Sequence, residues 1–294
     1  MSDTTATPAQ TRTQTYAQAP LLAVEGLTVR FAGVTALSDV SFAVQPGQLF
    51  AVIGPNGAGK TSLFNVISRV YQPAAGRVTF DGQDMARLRT HQTARAGIAR
   101  TFQNLGQFPF TTVLDYLLLG RHTRLRSGIL LGGLYLGPAR AEERANRAEC
   151  LRILELLGLA RVRDLPLGAL PYGLQKRADL ARALAMRPKL LLLDEPVAGM
   201  SLEESRDMAA VILDIKEQLG VTQILVEHDM AMVMGIADRV LVLDFGRVIA
   251  EGEPAAVQAN PDVIRAYLGE ELGGGGAAPA DGSGPGAGPA EAAP

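Results

Sequence analysis

The residues best suited to chemistry are Gly54-Pro55-Asn56-Gly57-Ala58-Gly59-Lys60-Thr61-Ser62. They match the pattern G-x-x-x-x-G-K-S/T, and the flanks give that pattern its meaning. The apolar run Leu49-Phe50-Ala51-Val52-Ile53 precedes it as a strand, and Leu63-Phe64-Asn65-Val66-Ile67 follows as a helix. Strand, glycine-rich turn and helix together make a phosphate site. The glycines let successive backbone N–H groups point inward at a helix N-terminus, forming an anion nest. Lys60 supplies a mobile point charge for β- and γ-phosphates. The Thr61 hydroxyl is placed to ligate Mg²⁺, and Ser62 to bond a phosphate oxygen.

A second chemical set closes a strand. Lys189-Leu190-Leu191-Leu192-Leu193-Asp194-Glu195-Pro196 is an apolar run ending in two acids, as a central parallel strand buried on both faces would read. The carboxyl ends of such strands are where α/β sheets bind ligands. Parallel neighbours lie ~4.8 Å apart, so a strand beside the phosphate loop brings these acids to it. Asp194 then serves the Mg²⁺ shell, and Glu195 faces an attacking water as general base. Val221 to Glu227 reads as another strand, so His228 emerges at the same edge, placed to donate to a γ-phosphate oxygen. Phe31 ends the first strand pair; its face suits adenine stacking, although the residues alone favour core packing.

These residues need a scaffold. Leu22 to Phe31 reads as a strand kinked at Gly26, Ser41 to Val44 as a second, and Arg77 to Phe80 as a third. Gly97 to Gln103 leads out of the core. From about Asn104 the pattern turns helical, clearest at Thr112 to Arg121 and at Ala139 to Leu159, where Ala148, Leu151, Leu154 and Leu157 recur every third residue. Ser127 to Gly137 forms a glycine-rich, apolar insertion between them. Glu203 to Leu219 is a further helix, and Arg239 to Asp244 with Arg247 to Glu251 flank Phe245-Gly246 as a hairpin. Short helices near Pro254 to Ala259 and Asp262 to Leu268 finish the chain. The expected architecture is α/β: a P-loop NTPase core, an antiparallel β-subdomain, and an inserted helical subdomain at about residues 104–187. The folded part spans 21–272. Residues 1–20 and the Gly/Ala/Pro-rich 273–294 read as disordered tails.

Composition excludes several classes. The 294 residues are 47% hydrophobic and 20% charged, within the globular range. A net charge of −2 offers no global basic field for nucleic acid. Arg121-His122-Thr123-Arg124-Leu125-Arg126 reads as a solvated helix face. The one cysteine, Cys150, cannot form an internal disulfide and reads as a small core hydrophobe. No apolar run approaches the ~20 residues of a membrane helix. The N-terminus lacks the pattern of a signal peptide. A soluble protein is expected, with any membrane spans on another chain.

These landmarks, in this order, resemble the ATP-binding subunit of an ABC transporter over about Leu21 to Leu268. The resemblance makes Phe31 the adenine-stacking aromatic and Gly54 to Ser62 the Walker A loop. Gln103, in Arg100-Thr101-Phe102-Gln103-Asn104, matches the Q-loop glutamine that touches Mg²⁺ or water and reports to membrane subunits. Asp194 and Glu195 match Walker B and the catalytic base, and His228 the switch histidine. Leu170-Pro171-Tyr172-Gly173-Leu174-Gln175 matches the signature, in which Gly173 and Gln175 would meet the ATP held by an opposite subunit. Pro171 and Leu174 depart from the general L-S-G-G-Q, and Pro171 offers neither a hydroxyl nor an N–H. Ser201 stands where aspartate is usual.

The Q-loop, the helical insertion after Leu119-Gly120-Arg121-His122, the Tyr-Gly signature and the closing Tyr267-Leu268-Gly269 are similar to the branched-chain amino-acid importer branch. The resemblance implies ATP and Mg²⁺ as cofactors. Its implied partners are permease subunits in the membrane, a second and different cassette, and an extracytoplasmic solute-binding protein, with no nucleic acid. The chain would sit in the cytoplasm on the inner face of the cell membrane. Two rivals are a soluble ABC ATPase acting on ribosomes or nucleic acid, and a cassette that binds ATP without hydrolysing it. The first calls for tandem cassettes, a coiled coil or basic surfaces; Glu195 and His228 speak against the second.

Overall fold

The structure, a computed structural model, describes residues 19–101, 108–122 and 137–273. Gln103, most of the insertion at 127–137 and nearly all of both expected tails lie outside these residues.

The chain begins with β1 (Leu22–Phe31) and β2 (Val34–Val44), paired antiparallel. The pairing slips between Val24 and Leu27, where Gly26 takes φ +57°. The second strand is longer than the Ser41–Val44 stretch its alternation suggests. Its first half is interrupted by Asp39, whose φ of +55° hides the period of two. After β3 (Leu49–Ile53) and α1 (Lys60–Ile67), the chain adds β4 (Ala75–Phe80) and the short β5 (Gln83–Asp84). Strands β2-β1-β4-β5 form one sheet.

Next come α2 (Thr90–Ala96), β6 (Ile98–Arg100), α3 (Val113–Arg121), α4 (Gly137–Leu156) and α5 (Tyr172–Ala185). The sequence reading passes over α2 and takes the β6 residues as leading out of the core. In fact β6 is a three-residue edge strand, too short to carry a pattern, that pairs with β7 (Leu190–Asp194). The chain closes with α6 (Leu202–Leu219), β8 (Thr222–Val226), α7 (Met230–Ile236), β9 (Arg239–Asp244), β10 (Arg247–Gly252), α8 (Pro254–Gln258) and α9 (Pro261–Gly273). Of these, α7 is unforeseen: seven residues with three methionines show no polar face.

The second sheet runs β10-β9-β3-β8-β7-β6, parallel from β9 to β6. Every residue of β3, β7 and β8 is buried, as a central strand covered on both faces requires. Alternation divides them between two cores. Leu49, Ala51, Ile53, Leu191 and Leu193 join the core containing residues of α3 to α7. Phe50, Val52, Leu190 and Leu192 join the core shared with α1, β1 and β2. One point departs from a neighbouring-strand picture. Strand β8 lies between β3 and β7, so the phosphate loop and the Asp194 strand stand two strand spacings apart, about 10 Å.

Candidate functional site

The loop after β3 is held by close packing against backbone. A Cβ on Gly54 would lie 2.0 Å from the Leu243 carbonyl oxygen, and its φ is +146°. A Cβ on Gly59 would lie 2.6 Å from the Ala36 carbonyl oxygen, at φ +103°. Neither position admits a side chain. The β9–β10 turn pins the loop from outside, with Gly246 N–H donating to the Ala58 carbonyl at 3.0 Å. Gly59 is the N-cap of α1 and offers no side-chain acceptor to the first turn, a helix N-terminus suited to an anion. Lys60, 8% exposed, donates through Nζ to the carbonyls of Gly54 at 2.6 Å and Pro55 at 2.8 Å, which hold its ammonium over the loop. Thr61, Asn56 and Gly57 are exposed, Pro55 and Ser62 half-buried, and Ala58 buried. The shape of the loop suits it to cradle a phosphate chain.

Asp194 ends β7 and is 1% exposed. Its Oδ2 accepts from Arg100 at 2.6 Å, and Arg100 also donates to Asn65 Oδ1 on α1 at 2.7 Å. The guanidinium lies 5.7 Å from the centre of the Phe64 ring. Asp194 Oδ1 is buried with no hydrogen-bond partner. A buried carboxylate oxygen left empty beside a phosphate cradle fits a hard cation shared with phosphate oxygens. Among the described residues, no three His, Cys, Asp or Glu side chains form a metal cluster.

Glu195 follows with φ +47°, a left-handed conformation rare for a side-chain-bearing residue. Its N–H donates to the Val226 carbonyl at 2.9 Å, and the residue is half-buried, placed where water reaches. His228 has a side chain 65% exposed, one residue beyond Glu227. Register explains the convergence: Val226 of β8 stands opposite both Val52 of β3 and Asp194 of β7. The loops carrying Lys60, His228 and Glu195 therefore leave the sheet at one level.

Phe31 sits at the β1–β2 turn, 40% exposed, with the edge-to-face ring of Tyr71 at 4.9 Å. The exposure favours a stacking face over core packing. The signature residues lie elsewhere. Pro171 is the N-cap of α5 and supplies no side-chain cap. Gly173 is buried, and its N–H bonds to the carboxylate of Glu204 on α6. Bonds from the Ser201 N–H and hydroxyl, then from Gly173, hold that carboxyl below the usual range. Gln175 spends its amide on the Leu170 carbonyl at 2.8 Å. Ser201, in place of the usual aspartate, N-caps α6 in a capping box with Glu204. The signature and the loop after Glu195 are thereby tied together.

Sequence reasoning missed Arg100 as a functional residue, along with Asn65, Glu204 and Glu227. Glu227 left one trace, a charge continuing the apolar strand Ile224-Leu225-Val226 directly before His228. Its side chain is wholly buried. Burial pushes the carboxyl up from the ordinary range, opposed by backbone N–H bonds from Val197, His228 and Asp229.

Fold and site define the class: an α/β P-loop nucleotide-binding cassette with a helical insertion. The family model described as ABC transporter matches residues 37–198, and that described as Branched-chain amino acid ATP-binding cassette transporter matches 247–272. The chain belongs to the ABC transporter family and is an ATP-hydrolysing, ATP-binding subunit of it. It is 41% identical over 252 residues to the high-affinity branched-chain amino acid transport ATP-binding protein BraF of Pseudomonas aeruginosa, across 85% of this chain and 98% of that protein. It is 38% identical over 251 residues to LivG of Escherichia coli, which carries the same description, across 85% and 98%. A solved nucleotide-free ATP-binding cassette from an ABC transporter matches with TM-score 0.74 and 31% identity over 85% of this chain and 99% of that one. The ADP conformation of an ATP-binding cassette matches with TM-score 0.75 and 30% identity over 86% and 100%. No helix among the described residues is long and apolar enough to cross a membrane.

Proposed function

We propose that this subunit drives import of branched-chain amino acids or a related small polar solute. In this reading it pairs with a second, different cassette beneath two membrane permease subunits, on the inner face of the cell membrane, and an extracytoplasmic binding protein delivers the solute. The match of residues 247–272 to the branched-chain amino acid cassette model carries the solute assignment. The cassette spans 21–272, with the helical subdomain at about 104–187. The mutual packing of α3, α4 and α5 supports a helical subdomain, whose apolar core runs on without a break into that of β3 and β7.

The chemistry follows from the three loops. Lys60 and backbone N–H groups of the Gly54 to Ser62 loop bind the β- and γ-phosphates, and the Phe31 face stacks on adenine. Asp194 and Thr61, with Gln103, would hold Mg²⁺, which supplies charge neutralisation on the phosphate oxygens when bound. Glu195 orients water in line with the γ-phosphorus and accepts its proton. His228 donates to a γ-phosphate oxygen, and Lys60 stabilises the charge that builds there. Gly173 and Gln175 complete the site of the opposite cassette. Closing two cassettes over ATP and reopening them after hydrolysis alternates the permeases' access to each side of the membrane.

The test is affinity purification of the tagged chain from membranes, with ATPase measured on the product. Permease subunits and a second cassette should co-purify, and turnover should follow the branched-chain solute with its binding protein. Glu195→Gln should cut turnover by about 10²- to 10⁴-fold while ATP stays bound. Recovery with ribosomes or nucleic acid refutes the transporter assembly, and a fully active Glu195→Gln refutes the base.

A further inference from the structure

Glu227 is a carboxylate with 0% exposure at the end of a strand whose other residues are all buried. An apolar side chain would suit that core better, since a buried charge is retained only where it is matched by donors. Here the donors come from two different loops. Oε1 accepts the Val197 N–H at 3.0 Å, two residues beyond Glu195. Oε2 accepts the His228 N–H at 3.0 Å and stands 3.6 Å from His228 Nδ1. The Asp229 N–H also bonds to the carboxylate, and Asp229 goes on to cap α7 through the Met232 N–H at 3.0 Å.

The geometry points to Glu227 as a positioning residue that locks the loop carrying Glu195 to the loop carrying His228, setting the two at a fixed separation around the γ-phosphate. Two features require such a lock. The left-handed φ of Glu195 persists only where the surroundings over-determine it. On one side Glu195 is held by its own N–H on the Val226 carbonyl, and on the other by Val197 on Glu227. The amides of Val197 and His228 are also loop N–H groups turned towards the interior, which must find an acceptor. One side chain, just past the end of β8 and within reach of the loop after the neighbouring β7, satisfies both. The inference rests on the roles proposed above for Glu195 and His228 and adds the residue that relates them.

The experiment uses the full chain with its co-purifying partners. Glu227→Gln keeps the length and one acceptor oxygen but turns an amide NH₂ towards one set of donors. Its kcat should fall by about 10- to 100-fold, the cost of a displacement near 1 Å, with KM for ATP within about twofold of wild type. Amide hydrogen exchange should quicken at Val197, His228 and Asp229 and stay unchanged in β3 and α1. In the wild-type, nucleotide-free protein the Val197 and His228 amides should be protected. Free exchange there overturns the inference, however the variant behaves. So does a Glu227→Gln enzyme with kcat within about twofold of wild type, or one in which kcat falls only in step with lost ATP binding and lower melting temperature. Controls separate the levels: if Glu195→Gln and His228→Ala both keep full turnover, the underlying roles fail and the lock fails with them. If both lose turnover while Glu227→Gln does not, the lock alone fails.

Discussion

Replacing Arg100 with methionine isolates the electrostatics of the site from its catalysis. The ion pair with Asp194 spans 2.6 Å, with Asp194 1% exposed and Arg100 about a quarter exposed. Arg100 is the only partner the Asp194 side chain has among the described residues, because Oδ1 already stands alone. Methionine keeps the packing on Phe64 but removes the charge and the bond to Asn65. Breaking a buried pair from one side costs about 3–5 kcal/mol, since the remaining charge stays buried. The partial exposure of Arg100 argues for the lower end, ~3 kcal/mol. For a domain of this size that lowers the melting temperature by roughly 6–12 °C.

The assay is thermal unfolding of the nucleotide-free chain, followed by circular dichroism, for wild type, Arg100→Met, Asp194→Asn and the double variant. A neutral amide needs no counter-charge, so the double variant should melt higher than Arg100→Met alone. The coupling should be of the order of the single loss. Arg100→Met melting within about 2 °C of wild type, or a double variant no better than the single, refutes the account of Arg100 as the counter-charge that leaves Oδ1 open.

Two further outcomes follow from the same geometry. Phe31→Ala should weaken ATP binding by about 2- to 12-fold, the 0.5–1.5 kcal/mol of an aromatic stack, and leave inorganic triphosphate unaffected in calorimetric titration. Glu149 on α4 is held below the usual glutamate range chiefly by its hydrogen bond to Arg187, at 2.9 Å in the closer ion-pair contact. A depressed carboxylate stabilises the fold above its unfolded value and loses that contribution as pH falls through its folded value. Because Arg187 is more than half exposed, the pair is worth about 0.5–1 kcal/mol. Urea unfolding should show that difference between wild type and Glu149→Gln near neutral pH and lose it as the pH falls through the lowered folded-state value of Glu149.

The features legible in the sequence are those that local rules encode. Gly54 and Gly59 announce positive φ and close backbone approach, and the run Leu190 to Leu193 announces a strand covered on both faces. The Phe245-Gly246 hairpin and the kink at Gly26 are read the same way. Short elements escaped, because β6 and α7 span too few residues to show a period.

The sequence by itself singled out the candidate phosphate loop, the strand that ends in Asp194 just before Glu195, and the histidine that follows the strand Thr222–Val226. Spacing along the chain carries that information directly. Only the tertiary structure decided that β8 separates β3 from β7, because strand order depends on which faces and edges pair, and those pairings join residues far apart in sequence. From that order came the rest: Arg100 on Asp194 across 94 residues, and Glu227 on Val197 across 30. A charged residue chooses its partner by burial and geometry at the end of folding, and nothing in its local pattern names that partner in advance.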